Sequence, residues 1–540
     1  MDADTKRLLL AIVLSVAVMW IWTLWLAPKR PAKAPAPQKP ATQKAQKAPA
    51  PTPAPGPKPV KLIPASSTGR LVKVDTPLVS VVLDSRGAVV RKVVLKRYTR
   101  LPEGKGGPLV LLDITPKEPG AMAWLLPKAA KELATANYSC SATNLNLKQS
   151  PASVVFSLSR SGLKVTKTYT FDPKTYAFKL QVELVNTSGK ALEITPELWL
   201  REYLNKAEAN RYAFTGLQMY IDDKLVEEDK GDLEDGVLRS GALEWAGLAI
   251  PYFLEAVVPH AKGKMAVRGW LEGGAMAAAI VHPLVSLGPG AKVVFSYTGY
   301  FGPKDLDVLE PLGHHLAAAV DFGWFDFIAK PMLAALKALH RYVGNYGLAI
   351  IIITIFIKIL FWPLTRKSYK SMKQMQKLQP QIARIREKYK DDKQRMNAEI
   401  MQLYKTYKVN PMGGCLPMIV QIPVFIAFYK VLGASIELRH APFILWINDL
   451  SAPDRLPIGI HIPWVGDGIP VLTLLMGVSM FIQQKMTPAA GDPTQQKIMM
   501  LMPVIFTVMF INFPSGLVLY WLVNNLLSIA QQWWTNRATS

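Results

Sequence analysis

Cysteine is nearly missing from this 540-residue chain: only Cys140 and Cys415 occur, which rules out a disulfide framework. The strings G-x-x-x-x-G-K-[ST], H-E-x-x-H and G-x-S-x-G are absent, and His314-His315 has no neighbouring ligand pattern. The sequence therefore offers no ATP, metal or cofactor site and no enzyme chemistry. It also lacks the inverted repeat of many secondary transporters. Acidic residues are scarce, 39 against 63 Lys/Arg, for a formal net charge of +24. That excess does not call for DNA, because two segments account for much of it. Residues 28–61 carry eight Lys/Arg and no acid among eleven prolines, and residues 366–408 carry thirteen Lys/Arg against four Asp/Glu. The first reads as an extended spacer and the second as a cytoplasmic membrane loop.

What is present is apolar residue at both ends and alternation in the middle. Leu8–Ala27 has no charge and is long enough to cross a ~30 Å hydrocarbon core. Trp25 stands where a signal-peptidase site ending at Ala27 needs a small residue, so the run reads as a retained anchor. From about Leu71 to Pro303 short alternating runs recur, such as Phe178, Leu180, Val182 and Leu184, or Leu163, Val165, Tyr169 and Phe171, with Asp172-Pro173-Lys174 as a turn. These predict an antiparallel β-sandwich. Residues 322–343 have an amphipathic helical pattern, read as a helix lying in the membrane interface or, alternatively, packed on the β domain.

Five further apolar segments follow: Gly347–Leu364, Cys415–Ala434, Ile469–Ile482, Ile498–Ile511 and Leu517–Trp534. Several are short for a bilayer. The expected fold is thus an α-helical polytopic membrane protein of six transmembrane helices, with an inserted all-β sandwich and a helical hairpin. The expected division is an anchor (1–27), a Pro/Ala/Lys-rich linker (28–64), a β-sandwich (65–315), the interfacial helix (322–343), a core of five spans (347–534) and a short tail (535–540). Residues 366–408 carry +9 and residues 436–467 carry four acids and two bases, or −2. Positive-inside logic puts the first loop in the cytoplasm and the second outside, with both termini cytoplasmic and residues 28–321 exported. Cys140 and Cys415 then lie on opposite sides of the membrane.

Lys358 lies between apolar residues in Ile350–Leu364. Such a charge costs about 2.5–3.5 kcal/mol at a helix centre and usually faces a bundle interior or water; snorkelling to headgroups is the alternative. Thr354 lies one turn earlier on the same face. Gln421, Gln483, Asn524, Asn525 and Ser528 lie inside or near the ends of other segments. Together they suggest a hydrated cavity open to the cytoplasm rather than isolated interhelical hydrogen bonds. In the basic loop, Met372, Met375, Leu378, Ile382, Ile385 and Tyr389 step at three or four, Asp391-Asp392 turns, and Met396, Ile400, Leu403 and Tyr407 step back. This predicts a helical hairpin with Pro380 starting or kinking its first arm. Its methionines and basic faces, including Arg384 and Arg386, suit a nascent chain, ribosomal RNA or anionic lipid, or serve only to fix topology.

Longer strings carry a resemblance. Asn410-Pro-Met-Gly-Gly-Cys415-Leu-Pro-Met-Ile-Val-Gln421-Ile-Pro423, Gln495-Gln-Lys-Ile-Met-Met-Leu-Met-Pro503, Phe513-Pro-Ser-Gly-Leu-Val-Leu-Tyr520-Trp521 and Tyr300-Phe-Gly-Pro-Lys304 are similar to segments of the YidC/Oxa/Alb family in its Gram-negative form. The resemblance implies an inner-membrane insertase and chaperone, working alone or with SecYEG and SecDF. Implied partners are nascent membrane proteins, the ribosome and anionic lipids, and function as a monomer is expected. It also implies a hydrophilic groove, with Thr354, Gln421 and the Tyr520-Trp521 pair along it. The family commonly carries arginine where Lys358 stands, so bidentate carboxylate recognition is not implied here. The alternatives are a transporter or channel with a midplane lysine site, or an envelope scaffold.

Overall fold

The structure is a computed structural model that describes residues 69–538, apart from 143, 204–212, 262, 408, 410–415, 464 and 487–492. The Leu8–Ala27 anchor, the 28–64 linker and Cys415 lie outside the described residues.

Alternation builds the first part. Strands Leu163–Phe171 and Ala177–Asn186 pair antiparallel with Leu180 opposite Tyr169 and Leu184 opposite Val165. The turn between them is held by the Lys174 N–H, which donates to the Asp172 carboxylate at 2.9 Å, a side-chain mimic of a backbone turn. The inward positions are buried, as a period of two requires. One of them is not apolar. Lys167, opposite Val182, is fully buried, and its ammonium donates to the carbonyls of Gly87, Ala88 and Met122 at 3.1, 2.7 and 3.1 Å.

Among the described residues the strands form a five-stranded and a thirteen-stranded sheet, with two small pairs besides. Pairing is antiparallel throughout except that Leu71–Asp75 runs parallel to Asn144–Asn146. The last long strand, Lys292–Pro303, lies between Ala177–Asn186 and Phe253–Pro259. One hydrophobic core links both sheets to the helices that follow.

The first of these, α1 (Asp326–Val343), ends at Gly344 with φ 66°, the left-handed cap that glycine adopts without Cβ strain. Its buried side is Ala329, Met332, Leu333 and Leu336, packed on other helices, while Trp324, Phe327 and Tyr342 are exposed. Next, α2 (Tyr346–Lys377) starts at Asn345, whose side chain accepts from the Leu348 N–H. It has 32 residues and runs straight through Pro363. The expected hairpin therefore differs in detail. Met372 and Met375 belong to α2, the chain breaks at Leu378, and Pro380 sits in the first turn of α3 (Gln379–Lys388), where its missing N–H costs nothing.

Asp392 caps α4 (Lys393–Thr406) through the Arg395 N–H at 2.9 Å. The seam holds Met375, Leu378 and Ile382 against Ile400, Leu403, Tyr404 and Val409. Tyr404 fills the place foreseen for Tyr407, because α4 ends at Thr406 and leaves Tyr407 exposed.

Four helices complete the chain: α5 (Leu416–Ala434), α6 (Val471–Met486), α7 (Pro493–Phe510) and α8 (Ser515–Ala538). Among the described residues α2 alone is long and apolar enough to cross a membrane on length and composition; Val420–Ala434, Val471–Met486 and Met499–Phe510 are shorter apolar stretches.

Candidate functional site

Helix α8 carries polar groups on two faces. Tyr520, Asn524 and Ser528 step by four, so they stack along one face. Asn525 and Gln532 stand on the adjacent one.

The first face meets α2 and α5. Lys358, half-buried on α2, donates from Nζ to Ser528 Oγ at 2.7 Å. The Ser528 hydroxyl in turn donates to the Asn524 carbonyl at 2.8 Å. Gln421 of α5 donates from Nε2 to Asn524 Oδ1 at 2.5 Å and to the Tyr520 hydroxyl at 3.3 Å. Thr354 is buried one turn before Lys358 and turns its hydroxyl back to the Ile350 carbonyl at 2.7 Å, which leaves it no donor for the groove. Five of the eight predicted groove residues, Lys358, Gln421, Tyr520, Asn524 and Ser528, thus form one hydrogen-bonded array across three helices.

The other three stand beside that array. Thr354 lies one turn before Lys358 on α2, with its hydroxyl bonded to its own helix. Trp521 turns toward an aromatic cluster, with ring centroids 4.8 Å from Phe425 and 5.1 Å from Phe510. Tyr520, by contrast, stacks on Phe428 at 4.6 Å. Gln483 is half-buried on α6, the helix that packs on the second face of α8. There Asn525 donates to Ser479 Oγ at 3.0 Å and Gln532 to the Met486 carbonyl at 2.6 Å. Ser479 and Gln532 were not singled out from the sequence. The signal available was the polar pair Gln531-Gln532, three and four residues after Ser528, inside an otherwise apolar segment.

Lipid-compatible surface surrounds this polar interior. Phe356, Ile359 and Leu360 of α2 are exposed, as are Leu475, Val478 and Ile482 of α6 and Val504 and Val508 of α7. A cation held in the interior by one hydroxyl, with an amide and a phenol nearby, can attract carboxylates without being locked into a salt bridge.

The hairpin is a separate surface. Arg384 and Asp391 are exposed, and Met372 and Arg386 are half-buried. Lys388 and Arg395 both approach the Tyr389 ring, each at 5.3 Å, which braces the turn beside Asp392.

Comparison with known proteins agrees with these two parts. Residues 338–540 match the family model for the 60Kd inner membrane protein, and residues 71–335 match that for the YidC periplasmic domain. A membrane protein insertase YidC from Oleidesulfovibrio alaskensis is 43% identical over 549 residues, covering 99% of each chain. One from Geobacter sulfurreducens is 44% identical over 552 residues, again covering 99% of each. Among solved structures, one of an active YidC insertase with the first transmembrane domain resolved is 19% identical, with a TM-score of 0.37, covering 87% of this chain and 94% of that one.

Proposed function

The chain belongs to the YidC family of membrane protein insertases, not to a family of enzymes, and on that premise we propose that it inserts integral membrane proteins of the inner membrane through the polar groove of α2, α5 and α8. The β-rich part is its periplasmic domain, and nascent membrane proteins are its clients. The transporter and scaffold alternatives find no support in the relatives' names.

In this reading Leu8–Ala27 and α2, α5, α6, α7 and α8 make six spans. The hairpin and both termini are cytoplasmic, and residues 28–321 are periplasmic. The groove opens to the cytoplasm. It accepts a short polar segment of the client part-way across, with Lys358 attracting its acidic groups, while the client's apolar helix slides along α5 and α7 into lipid. Each Leu or Ile at a helix centre returns about 0.3–0.6 kcal/mol, so a full apolar span outweighs moving a short, weakly charged tail. The described part of α6, Val471–Met486, has 16 residues, or about 24 Å at 1.5 Å per residue, against a ~30 Å core. A bilayer thinned around the groove shortens the polar segment's path. The methionine-bearing hairpin, with Met372, Met375, Arg384, Arg386, Asp391 and Asp392, receives chains from the ribosome and meets anionic lipid. SecYEG and SecDF are partners for larger clients, and the monomer is the working unit.

The observation that carries this reading is the Lys358–Ser528 hydrogen bond inside an apolar bundle. Photo-crosslinkers at positions 354, 358, 421 and 521, with position 359 on the lipid side as reference, test it against a stalled nascent membrane protein. Stronger crosslinks from the first four are expected. Equal crosslinking from position 359 would remove the groove from the path.

A further inference from the structure

Between α5 and α6 the chain makes a loop that the insertion mechanism does not use. Two acidic and basic side chains fix its base. The Asp454 carboxylate, almost wholly buried, accepts from Trp446 Nε1 at 2.6 Å and from the Leu472 and Thr473 N–H groups at 2.5 and 3.2 Å, so it caps α6. Arg455 donates to the carbonyls of Val465 and Ile511, both at 2.8 Å, and to Asn512 Oδ1 at 2.7 Å. The Ser515 and Gly516 N–H groups at the start of α8 donate to the carbonyls of Ala452 and Leu450. The loop is therefore stitched to the ends of α6, α7 and α8 at one face of the bundle.

From that rigid base two apolar tips project. One is the bend Phe443–Ile447, closed by N–H donation from Phe443 to the Ile447 carbonyl at 2.8 Å. It holds Leu445 at φ 55° with its side chain 80% exposed, a left-handed conformation that costs a leucine strain. The other is the strand Leu456–Ile462, paired with Gly466–Ile469. The register shifts between Leu456 and His461, and Ile458 and Ile460, on either side of Gly459 at φ 74°, are both exposed. Residues 441–448 and 456–460 carry no formal charge. An isolated two-stranded hairpin is marginal in water, and here its Ile458 and Ile460 are left exposed.

We propose that these tips are a lipid anchor, with Leu445, Ile458 and Ile460 seated in the periplasmic leaflet at the boundary between headgroups and acyl chains. The inference rests on the span reading of α6 and α7. What supports a lipid partner is continuity: the Gly466–Ile469 strand of the hairpin leads through Pro470 straight into α6, which exposes Leu474, Leu475 and Val478. Trp446, held beside the tips by Asp454, is the residue type favoured at that depth.

The test uses full-length protein with Cys140→Ser and Cys415→Ser, reconstituted in phosphatidylethanolamine/phosphatidylglycerol vesicles. Single variants Ile460→Cys, Leu445→Cys, Val478→Cys and Lys224→Cys are labelled with an environment-sensitive fluorophore. At positions 460 and 445, lipid nitroxides placed near the glycerol should quench several-fold more than soluble iodide does. Position 478 should be quenched by deep nitroxides and position 224 by iodide alone. Iodide quenching at 460 and 445 with deep quenching at 478 overturns the anchor and leaves the spans standing. Iodide quenching at 478 overturns both. Protection of 460 and 445 from every quencher means that protein covers them, and overturns the anchor as well.

Discussion

Lys358 and Ser528, 170 residues apart, meet at 2.7 Å and fasten α2 to α8. A lysine in this position has one compact charge and three donors. With one donor engaged by a hydroxyl, the remaining two are available to an incoming carboxylate.

Lys358→Ala should therefore impair clients with acidic translocated tails more than clients with neutral tails. A hydrogen bond to a charged group is worth about 1.5–3 kcal/mol, so the gap between the two classes should be roughly ten- to a hundredfold. Lys358→Arg should keep most activity, since it keeps the charge. Rates of protease-protected insertion for a matched pair of clients measure this. If the alanine variant inserts both classes equally well, electrostatic attraction is not the role of the lysine.

The same lysine makes a claim about water. A cysteine at position 358 should react with a membrane-impermeant maleimide added from the cytoplasmic side of inverted vesicles, and one at position 359 should react far more slowly. A position 358 sealed from aqueous reagents on that side removes the hydrated groove.

On the second face of α8 the Asn525–Ser479 hydrogen bond joins buried partners. Interhelical bonds of this kind contribute about 0.6 kcal/mol on average and at most about 2. A double-mutant cycle of Asn525→Ala and Ser479→Ala in lipid should give a coupling energy in that range, with little change in client selectivity. A selectivity change equal to that of Lys358→Ala would place this face in the groove.

How far the sequence revealed all this follows from what periodicity encodes. It marks faces, so the inward rows Phe178–Leu184 and Leu163–Phe171, the apolar helices and the hairpin seam could be read directly. Charge conflict marked Lys358 and the polar positions of α8. Periodicity names no partners, so the Asn525–Ser479 pair, the Asp454 cap 18 residues before Leu472 and the Arg455 clamp were not legible. Lys167 shows the reverse case. It occupies an inward strand position that alternation assigns to an apolar residue, and three carbonyls unrelated in sequence make it acceptable there.

His282 should give the periplasmic domain an acid-sensitive stability. It is buried, shares a 2.7 Å hydrogen bond with the Tyr297 hydroxyl, and burial pushes its pKa down to about 4. In the unfolded chain it titrates near ~6.5. The unfolded state thus binds the extra proton as pH falls from about 6.5 to 4, and stability declines across that window, by up to about 3 kcal/mol. His282→Asn should flatten this decline, as read by denaturant midpoints at pH 7 and pH 4.5. Parallel losses in both proteins would assign the acid sensitivity elsewhere.

Lys337 of α1 ties the two halves together, with Nζ 3.2 Å from Asp305, 2.7 Å from Asp307 and 3.1 Å from Glu437. Burial alone would lower its pKa, but the Asp307, Glu437 and Asp305 carboxylates more than reverse this and raise it. Burial also raises the Glu437 carboxyl. Lys337→Met leaves three carboxylates facing one another and should destabilise this joint by about 1–3 kcal/mol. Amide exchange should quicken at residues 305–309 and 436–439 while the strands stay protected. Exchange that quickens in the strands as well would mean that Lys337 stabilises the whole domain rather than the joint.

Gly477 sets the distance between α6 and α7. A Cβ there would collide with the Thr507 hydroxyl, which donates back to the Pro503 carbonyl at 2.7 Å, so the two helices pass at a separation that only a hydrogen at Cα permits. Gly477→Ala should lower thermal stability in lipid by about 1–3 kcal/mol, the cost of overpacking a close contact. Because the colliding atom belongs to one side chain, Thr507→Ala should recover much of that loss in the double variant, although alone it only removes a hydroxyl from its own helix. Losses that simply add in the double variant would show that contact with Thr507 is not what requires the glycine.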